Sequence, residues 1–246
     1  MAEQNPKFFK TEKDMRVIAE VFSPSTLDII FSLAGKKWFN RVEHVISTGK
    51  EAHFFLATDS AGNPRGVKIY KIETSDFKNM HKYIDGDVRF KHVPHQKKDL
   101  VYEWTRKEFK NLTKATEAKV SCPIPLTFKG NVLVMSFIGE GEEASPIIKR
   151  VRIPEEEKQS IYDQIIENLA KLFYKAGLIH ADLSEYNIMY KDGKVVFIDF
   201  GQAVLKNHPR AKEFFDRDIF NLQMYFQKIG IEKTREEILE DIRAKK

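Results

Sequence analysis

The stretch from residue 154 to residue 201 constrains the fold more than any other part of this sequence. It opens with Pro154, three glutamates and a stripe of apolar residues at helical spacing, which predicts a helix that ends at Gly177. A polar segment, His180–Asn187, follows almost at once. Two β-type segments come next, at 188–190 and 195–198, and a Lys-Asp-Gly-Lys turn separates them. Helices are predicted again from about residue 212, so this half of the chain is α-rich.

The first half of the chain has the alternation and turn residues of a β-rich region. Its predicted elements are two short helices within 12–35, strands at 42–46, 53–58 and 67–72, a helix over 101–118 and a strand over 131–138. An α+β chain with two lobes is therefore predicted. Its predicted parts are an N-terminal helical extension (1–40), a β-rich N-lobe (41–138) and an α-rich C-lobe (139–246).

The segment between residues 73 and 99 lacks periodicity, and we expect a flexible basic loop there. From Arg65 to Lys119 there are fourteen Lys and Arg against eight Asp and Glu, a balance of 14 − 8 = +6 beside a net charge of +5 for the whole chain. Such a segment is typical either of a solvated face or of a surface that binds an anionic partner such as RNA. Charge alone leaves both interpretations open.

Composition excludes several classes of protein. A hydrophobic fraction of 42% is too high for a disordered tail protein. The single cysteine, Cys122, excludes an intramolecular disulfide and a zinc site that needs two thiolates of this chain. No stretch reaches the ~20 apolar residues of a membrane span, and the first residues lack the apolar run of a secretory signal. A cytoplasmic protein without a membrane partner is predicted.

Two polar clusters of the second half indicate phosphoryl transfer. The segment His180–Asn187 matches the pattern H-x-D-x-x-x-x-N, in which Asp182 would accept the proton of an attacking hydroxyl and Asn187 would hold Mg²⁺. Asp199, in Ile-Asp-Phe-Gly, lies twelve residues beyond Asn187. A carboxylate that faces the asparagine from the end of a β-pair supplies the oxygen ligands that a hard cation needs.

A third cluster lies in the first half, where Lys68 stands on a predicted strand and Glu108 on the next helix. This pair would place the lysine on the phosphates of ATP and hold it there. Each cluster alone is common in proteins of other function. The order Lys, Glu, Asp, Asn, Asp, with the expected elements between them, predicts an ATP-dependent phosphotransferase.

From about residue 42 to its end, the chain resembles the RIO family of atypical protein kinases. The markers are four segments: Ser47–Ala52, Val67–Lys71, Trp104–Glu108 and His180–Asn187. Only about forty residues precede the first strand, so the chain resembles the first RIO branch, which has no winged-helix domain, and its compact form is archaeal in character. The resemblance implies a two-lobed kinase-like fold and a serine/threonine kinase or ATPase that uses ATP with Mg²⁺ or Mn²⁺.

The resemblance also implies a set of nucleotide contacts. Ser47, Thr48, Gly49, Lys50, Glu51 and Ala52 would replace the usual glycine-rich loop around the phosphates, with backbone N–H groups and the Ser47 hydroxyl nearby. Adenine would meet the backbone of Ser136 and Ile138. Asp199 would bind the metal and, as implicated for RIO proteins, accept phosphate as an aspartyl-phosphate during ATP hydrolysis.

The resemblance further implies a role in maturation of the small ribosomal subunit, with its precursor and rRNA as partners. The protein substrate is not determined and can be the chain itself. For such autophosphorylation the candidate acceptors are Thr74, Ser75 and Thr105. No Ala-Pro-Glu follows Gly201, and Ser184 stands where most protein kinases have a lysine, so peptide recognition is expected to differ. Two alternatives stay open: an ATP-hydrolysing assembly factor with little kinase activity, and a small-molecule kinase of the aminoglycoside or choline type. The oligomeric state is not determined.

Overall fold

The computed structural model describes residues 22–73, 77–90 and 96–246, and the chain divides into two compact units. Unit 1 holds the described residues up to 77 together with 96–109 and 124–144. Unit 2 holds residues 78–90, 110–123 and 145–246. The first of the two predicted N-terminal helices lies outside the described residues, as do Thr74 and Ser75. The domain boundaries predicted from the sequence stay a prediction.

Unit 1 is built on a five-stranded antiparallel sheet. Its elements are α1 (Pro24–Gly35), β1 (Arg41–Thr48), β2 (Ala52–Thr58), β3 (Pro64–Tyr70), β4 (Pro125–Lys129) and β5 (Val132–Ser136). The strand order is β1-β2-β3-β5-β4, which places β3 at the centre. Apolar residues of α1, among them Ile30 and Leu33, pack on Val67 of β3 and Val134 of β5 in one core. This burial stabilises a twelve-residue helix that would be marginal by itself.

The prediction of a flexible loop over 73–99 is wrong for part of the segment, because helices occupy part of it. Residues Phe77–Ile84 form helix α2, and helix α3 (Lys97–Glu117) begins before residue 99. Met80, Tyr83 and Ile84 of α2 are buried at helical spacing. The local sequence is polar, so tertiary burial rather than propensity stabilises this short helix.

Unit 2 is mainly helical. The short pair β6 (Gly139–Glu140) and β7 (Glu143–Ala144) still belongs to unit 1. The elements that follow it in unit 2 are a 3₁₀ helix (Ile148–Arg150), α4 (Glu155–Ala170), a short π-helix (Lys171–Lys175), β8 (Leu178–Ile179), β9 (Ile188–Lys191), β10 (Lys194–Phe197), β11 (Val204–Leu205), α5 (Ala211–Lys228) and α6 (Arg235–Ala244). The predicted long helix is therefore α-helical only to Ala170. Gly177, with φ +67°, turns the chain into β8. Among the described residues no helix is long and apolar enough to cross a membrane.

The antiparallel sheet of unit 1 and the helices of unit 2 confirm the predicted α+β class. The strand β4 was not predicted, because prolines at 123 and 125 break the pattern around it. It lies at the edge of the sheet and begins at Pro125, a position where a strand tolerates a residue that cannot donate a ladder hydrogen bond.

Candidate active site

Lys68 and Glu108 form the ion pair that the sequence predicts. Lys68 Nζ donates to Glu108 Oε1 at 2.9 Å, and the two side chains are 14% and 2% exposed. The hydroxyl of Tyr70 donates to the other oxygen of Glu108, and Lys68 Nζ lies 5.0 Å from the centroid of the Tyr70 ring. Residues two apart on a strand share a face, so Tyr70 was detectable from its spacing to Lys68, but no motif indicated it. Because the buried carboxylate of Glu108 has two donors, the lysine is held in one place.

The loop between β1 and β2 is a tight hairpin. Within it the Gly49 N–H donates to Ala52 O at 2.9 Å. Lys71, just after β3, donates from Nζ to Gly49 O at 2.8 Å and from its backbone N–H to Glu51 O at 2.9 Å. The Gly49 N–H is thus already bonded. Ser47 and Thr48 end β1, Ala52 begins β2, and the loop between them, 49–51, is bonded at both of its ends to Lys71.

The end of β5 is fixed by Ile124. The Ser136 N–H donates to Ile124 O, and Ser136 Oγ accepts from the Ile124 N–H, both at 2.8 Å. Any adenine contact of Ser136 would therefore involve its carbonyl. Ile138 follows two residues later and is half-buried.

In unit 2 the loop that carries Asp182 is held from beneath by α5. The fully buried carboxylate of Asp218 accepts from the N–H groups of Ala181 and Leu183, each at 2.8 Å, and the Arg217 guanidinium donates to the Ala181 carbonyl. Ala181 has φ +66°, a conformation that costs a non-glycine residue about 1–3 kcal/mol. These bonds hold the loop in that conformation.

Burial raises the pKa of Asp218 to about 7, against the lowering effect of the two backbone N–H donors. We predict that Asp218→Asn lowers the free energy of unfolding by about 1–3 kcal/mol, because an amide offers one acceptor oxygen where two backbone donors need partners. Chemical denaturation measures this change. Asp216→Asn, two residues away in surface ion pairs, is the control and should cost less than about 1 kcal/mol. Equal losses for the two variants would contradict the prediction.

The structure brings Asp182 and Asn187 together. Asn187 Nδ2 donates to the Asp182 carbonyl at 2.8 Å and to Asp182 Oδ2 at 3.1 Å. Gln202 Nε2 lies 3.3 Å from the same Oδ2. Gln202 was missed because its only sequence signal is its place directly after Asp-Phe-Gly.

Asp199 reaches the same region through the β9–β10 hairpin. Ile188 of β9 pairs with Phe197 of β10. Just beyond this pair, the Ile198 N–H donates to the Asn187 carbonyl at 3.0 Å, which places Asp199 one residue further along. Asp199 is exposed and has φ +63°. Burial, and then the negative charge of Asp199, raise the pKa of Asp182.

Two carboxylates that repel one another, with an amide beside them, suit a divalent cation. Asp182, Asn187 and Asp199 provide oxygen atoms, which are the ligands that Mg²⁺ prefers. No group of three His, Cys, Asp or Glu in the described part of the chain forms a metal site by itself. A cation held here would therefore take further oxygen ligands from a nucleotide or water, as Mg²⁺ commonly does.

Three other side chains with reactive groups are buried or unreactive: His180, Thr105 and Cys122. His180 is fully buried, and its Nε2 lies 3.0 Å from the carbonyl of Ile198, so it supports the Asp199 segment. Thr105 is also fully buried, and its hydroxyl donates to Val101 O at 2.9 Å. The prediction that Thr105 is a candidate phosphate acceptor is therefore wrong. Burial raises the pKa of Cys122 to about 11, which keeps the thiol protonated.

Comparison with known proteins gives consistent matches. The sequence profile of the RIO domain matches residues 53–239. The chain is 38% identical to the RIO-type serine/threonine-protein kinase Rio1 of Haloferax volcanii, over 94% of this chain and 79% of the relative. It is 36% identical to that of Methanocaldococcus jannaschii, over 99% of this chain and 81% of the relative. The human serine/threonine-protein kinase RIO1 is 35% identical over 90% of this chain, which spans only 39% of that relative.

Among solved structures, the chain is similar to the Rio2 kinase of Chaetomium thermophilum in its ADP/Mg²⁺-phosphoaspartate complex. The TM-score is 0.66 at 22% identity, over 90% of this chain and 67% of that chain. This similarity confirms the predicted kinase-like fold. At this identity it bears on the fold alone.

Proposed function

The chain belongs to the RIO family of atypical protein kinases, and from that membership we propose that it transfers the γ-phosphoryl group of ATP to serine or threonine hydroxyls. The observation that carries the proposal is the pairing of Asp182 with Asn187 on a loop that Asp218 holds in a strained conformation. A carboxylate with a raised pKa, fixed in position, is suited to accept the proton of an attacking hydroxyl.

The proposed nucleotide contacts come from unit 1. Lys68, held by Glu108, would bind the α- and β-phosphates, and Ser47–Ala52 would lie along the phosphate chain. The carbonyl of Ser136 and the backbone of Ile138 would meet adenine. The fixed geometry of the β1–β2 loop and of Ser136 supports these roles, because binding then requires little ordering.

Asn187 and Asp199 would hold Mg²⁺ or Mn²⁺ in unit 2. When bound, the cation neutralises charge on the transferring phosphoryl group. Asp182 would keep its proton-accepting role, and its bond to Asn187 would fix its orientation.

We further propose that the protein acts in maturation of the small ribosomal subunit, in the cytoplasm. The basic segment from Arg65 to Lys119, with its excess of 14 − 8 = +6 charges, supports an rRNA or precursor-particle partner. The single cysteine supports a reducing compartment.

A second candidate function is ATP hydrolysis through phosphate transfer to Asp199, with release of the protein from the particle. The complex of the Chaetomium thermophilum Rio2 kinase with ADP, Mg²⁺ and phosphoaspartate favours it. The exposed carboxylate of Asp199, adjacent to the proposed metal position, is chemically able to accept phosphate.

The test is a single-turnover reaction with γ-³²P-ATP and Mg²⁺, with and without small-subunit particles, in which phosphate on protein is separated from free phosphate. Acid-stable label on serine or threonine supports the kinase. Label that hydroxylamine removes supports the ATPase, provided that the reaction with small-subunit particles releases more free phosphate than the reaction without them. Absence of both products would overturn both functions.

For Lys68→Met we predict a loss of about 10²–10³-fold in the single-turnover rate, the usual effect of removing one charge-stabilising donor. The change also leaves the buried Glu108 with one fewer donor. Lys129→Met is the matched control, because Lys129 is an exposed lysine of the same sheet that bonds the Ser32 hydroxyl. A Lys68→Met rate equal to that of the control would show that Lys68 does not contact the phosphates.

A further inference from the structure

The turn that follows Asp199 is closed by a side chain from another element. Asn111 of α3 is fully buried, and its Nδ2 donates to Phe200 O at 2.9 Å and to Ala203 O at 2.8 Å. The Ala203 N–H also donates to Phe200 O at 3.2 Å. The side-chain amide of Asn111 thus bridges the two ends of the turn 200–203, which begins directly after Asp199, the proposed metal ligand.

Arg89 sets the orientation of that amide. Its Nη1 donates to Asn111 Oδ1 at 2.7 Å. A guanidinium only donates, so the oxygen of Asn111 must face Arg89 and the NH₂ group must face the two carbonyls. Both ends of the buried amide are therefore satisfied.

Asp87 in turn fixes Arg89. The Asp87 carboxylate accepts from Arg89 Nε at 2.9 Å, from Nη2 at 2.6 Å and from the Arg89 backbone N–H at 3.0 Å. The side chains are 0% and 12% exposed, respectively. A forked, buried pair of this kind leaves the guanidinium little freedom.

The same segment also reaches the Asp182 loop. Tyr83 of α2 stacks on Phe214 of α5, with ring centroids 5.0 Å apart. Arg217 Nη2 lies 3.3 Å from the Tyr83 hydroxyl and also donates to the Ala181 carbonyl. The part of the chain predicted as a loop therefore contacts the supports of both catalytic carboxylates.

We propose that Arg89 and Asn111 are positioning residues for Asp199: Asp87 fixes Arg89, Arg89 orients Asn111, and Asn111 holds the turn after the carboxylate. This inference rests on the proposed function. Asp199 has φ +63°, a left-handed conformation that is uncommon for residues other than glycine, and the closed turn begins at the very next residue. Neither Arg89 nor Asn111 needs to touch nucleotide or metal for this role.

The expected signature is a change in metal use rather than in nucleotide affinity. Loss of a group that orients a metal ligand typically costs about 10–100-fold in metal affinity or activity. For Arg89→Ala and Asn111→Ala we expect single-turnover rates lower by about this factor, and a higher Mg²⁺ concentration at half-maximal rate. Binding of a fluorescent ATP analogue without metal should be unchanged.

A double variant tests whether Arg89 acts through Asn111. If it does, Arg89→Ala/Asn111→Ala has the rate of Asn111→Ala alone, because the second change removes nothing further. Arg89→Lys keeps the charge but not the fork, and should lie between wild type and Arg89→Ala. The control is Arg235→Ala, which removes an arginine from the exposed ion pair with Asp216 in the same unit.

Hydrogen exchange provides a measurement that does not need activity. Without nucleotide, the amides of residues 200–203 should exchange faster in Arg89→Ala and Asn111→Ala than in wild type and Arg235→Ala. Thermal unfolding identifies any variant that fails to fold, in which case Arg89→Lys carries the test.

Unchanged exchange in the turn, an unchanged Mg²⁺ requirement, or additive losses in the double variant would each overturn the positioning role. An inactive wild-type protein would instead overturn the proposed function. The exchange measurement would still decide whether Arg89 orders the turn.

Discussion

Replacing Asp182 with asparagine is expected to lower the single-turnover rate of phosphoryl transfer to a protein hydroxyl by about 10²–10⁴-fold, the usual contribution of a positioned base. The amide cannot accept the hydroxyl proton. Because it has nearly the shape of the carboxylate, and its neighbour Asn187 also donates to the backbone carbonyl of residue 182, the loop should keep its conformation. Melting curves that match wild type would separate loss of chemistry from loss of fold.

The matched control is Asp163→Asn, an exposed aspartate of α4 in the same unit that accepts from Gln159 at 3.0 Å. It should leave the rate unchanged. A rate for Asp182→Asn within a few-fold of this control would show that Asp182 is not the proton acceptor.

The pH profile of the wild-type rate is a further check on the same residue. A proton acceptor works only when ionised, so the rate falls as pH decreases through its pKa. Burial and Asp199 raise the pKa of Asp182 above the ordinary value of 3.8, so this fall should begin at higher pH than for an exposed aspartate. Asp199→Asn removes one of the two causes and should move the fall to lower pH.

The second large effect is expected for Asp199→Asn. Without this carboxylate, Asn187 is the one remaining residue of the two proposed metal ligands, so Mg²⁺-dependent nucleotide binding and phosphoryl transfer should both fall. A loss of about 10²–10³-fold in rate is expected from removal of one transition-state charge contact. Titration with Mg²⁺ should show a higher midpoint, and no hydroxylamine-labile label should form on the variant.

Asp192→Asn is a stringent control for this change. Asp192 is also exposed and also has a positive φ, +49°, in the β9–β10 turn, and asparagine accepts that conformation well. It should behave as wild type. Hydroxylamine-labile label that persists in Asp199→Asn would show that another group accepts the phosphate.

The kinase-like elements that follow from local pattern were predictable. The strands β1, β2 and β3, the helix α4 and the β9–β10 pair each carry a periodicity or turn signal within their own residues. The candidate residues Lys68 and Glu108 of unit 1, and Asp182, Asn187 and Asp199 of unit 2, were predicted from motif spacing, and the structure pairs Lys68 with Glu108 and Asp182 with Asn187.

Helix α2 and the short pair β8–β11 were not predictable in this way. Each has few residues and little local preference, and each is stabilised by burial against distant parts of its unit. The contacts of Tyr70 with Glu108 and of Gln202 with Asp182 depend on the same long-range packing.

The sequence alone therefore predicted the class of chemistry and the candidate residues for it, because phosphoryl transfer needs a small set of groups in a fixed order. Only the tertiary structure showed how those groups are supported. Asp218 accepts from the backbone of the loop that carries Asp182, and Asn111, which Arg89 orients, donates to the backbone of the turn after Asp199. The physical reason is that a buried hydrogen bond between residues far apart in the chain leaves no periodic signal. Its partners become identifiable only when folding brings them within about 3 Å.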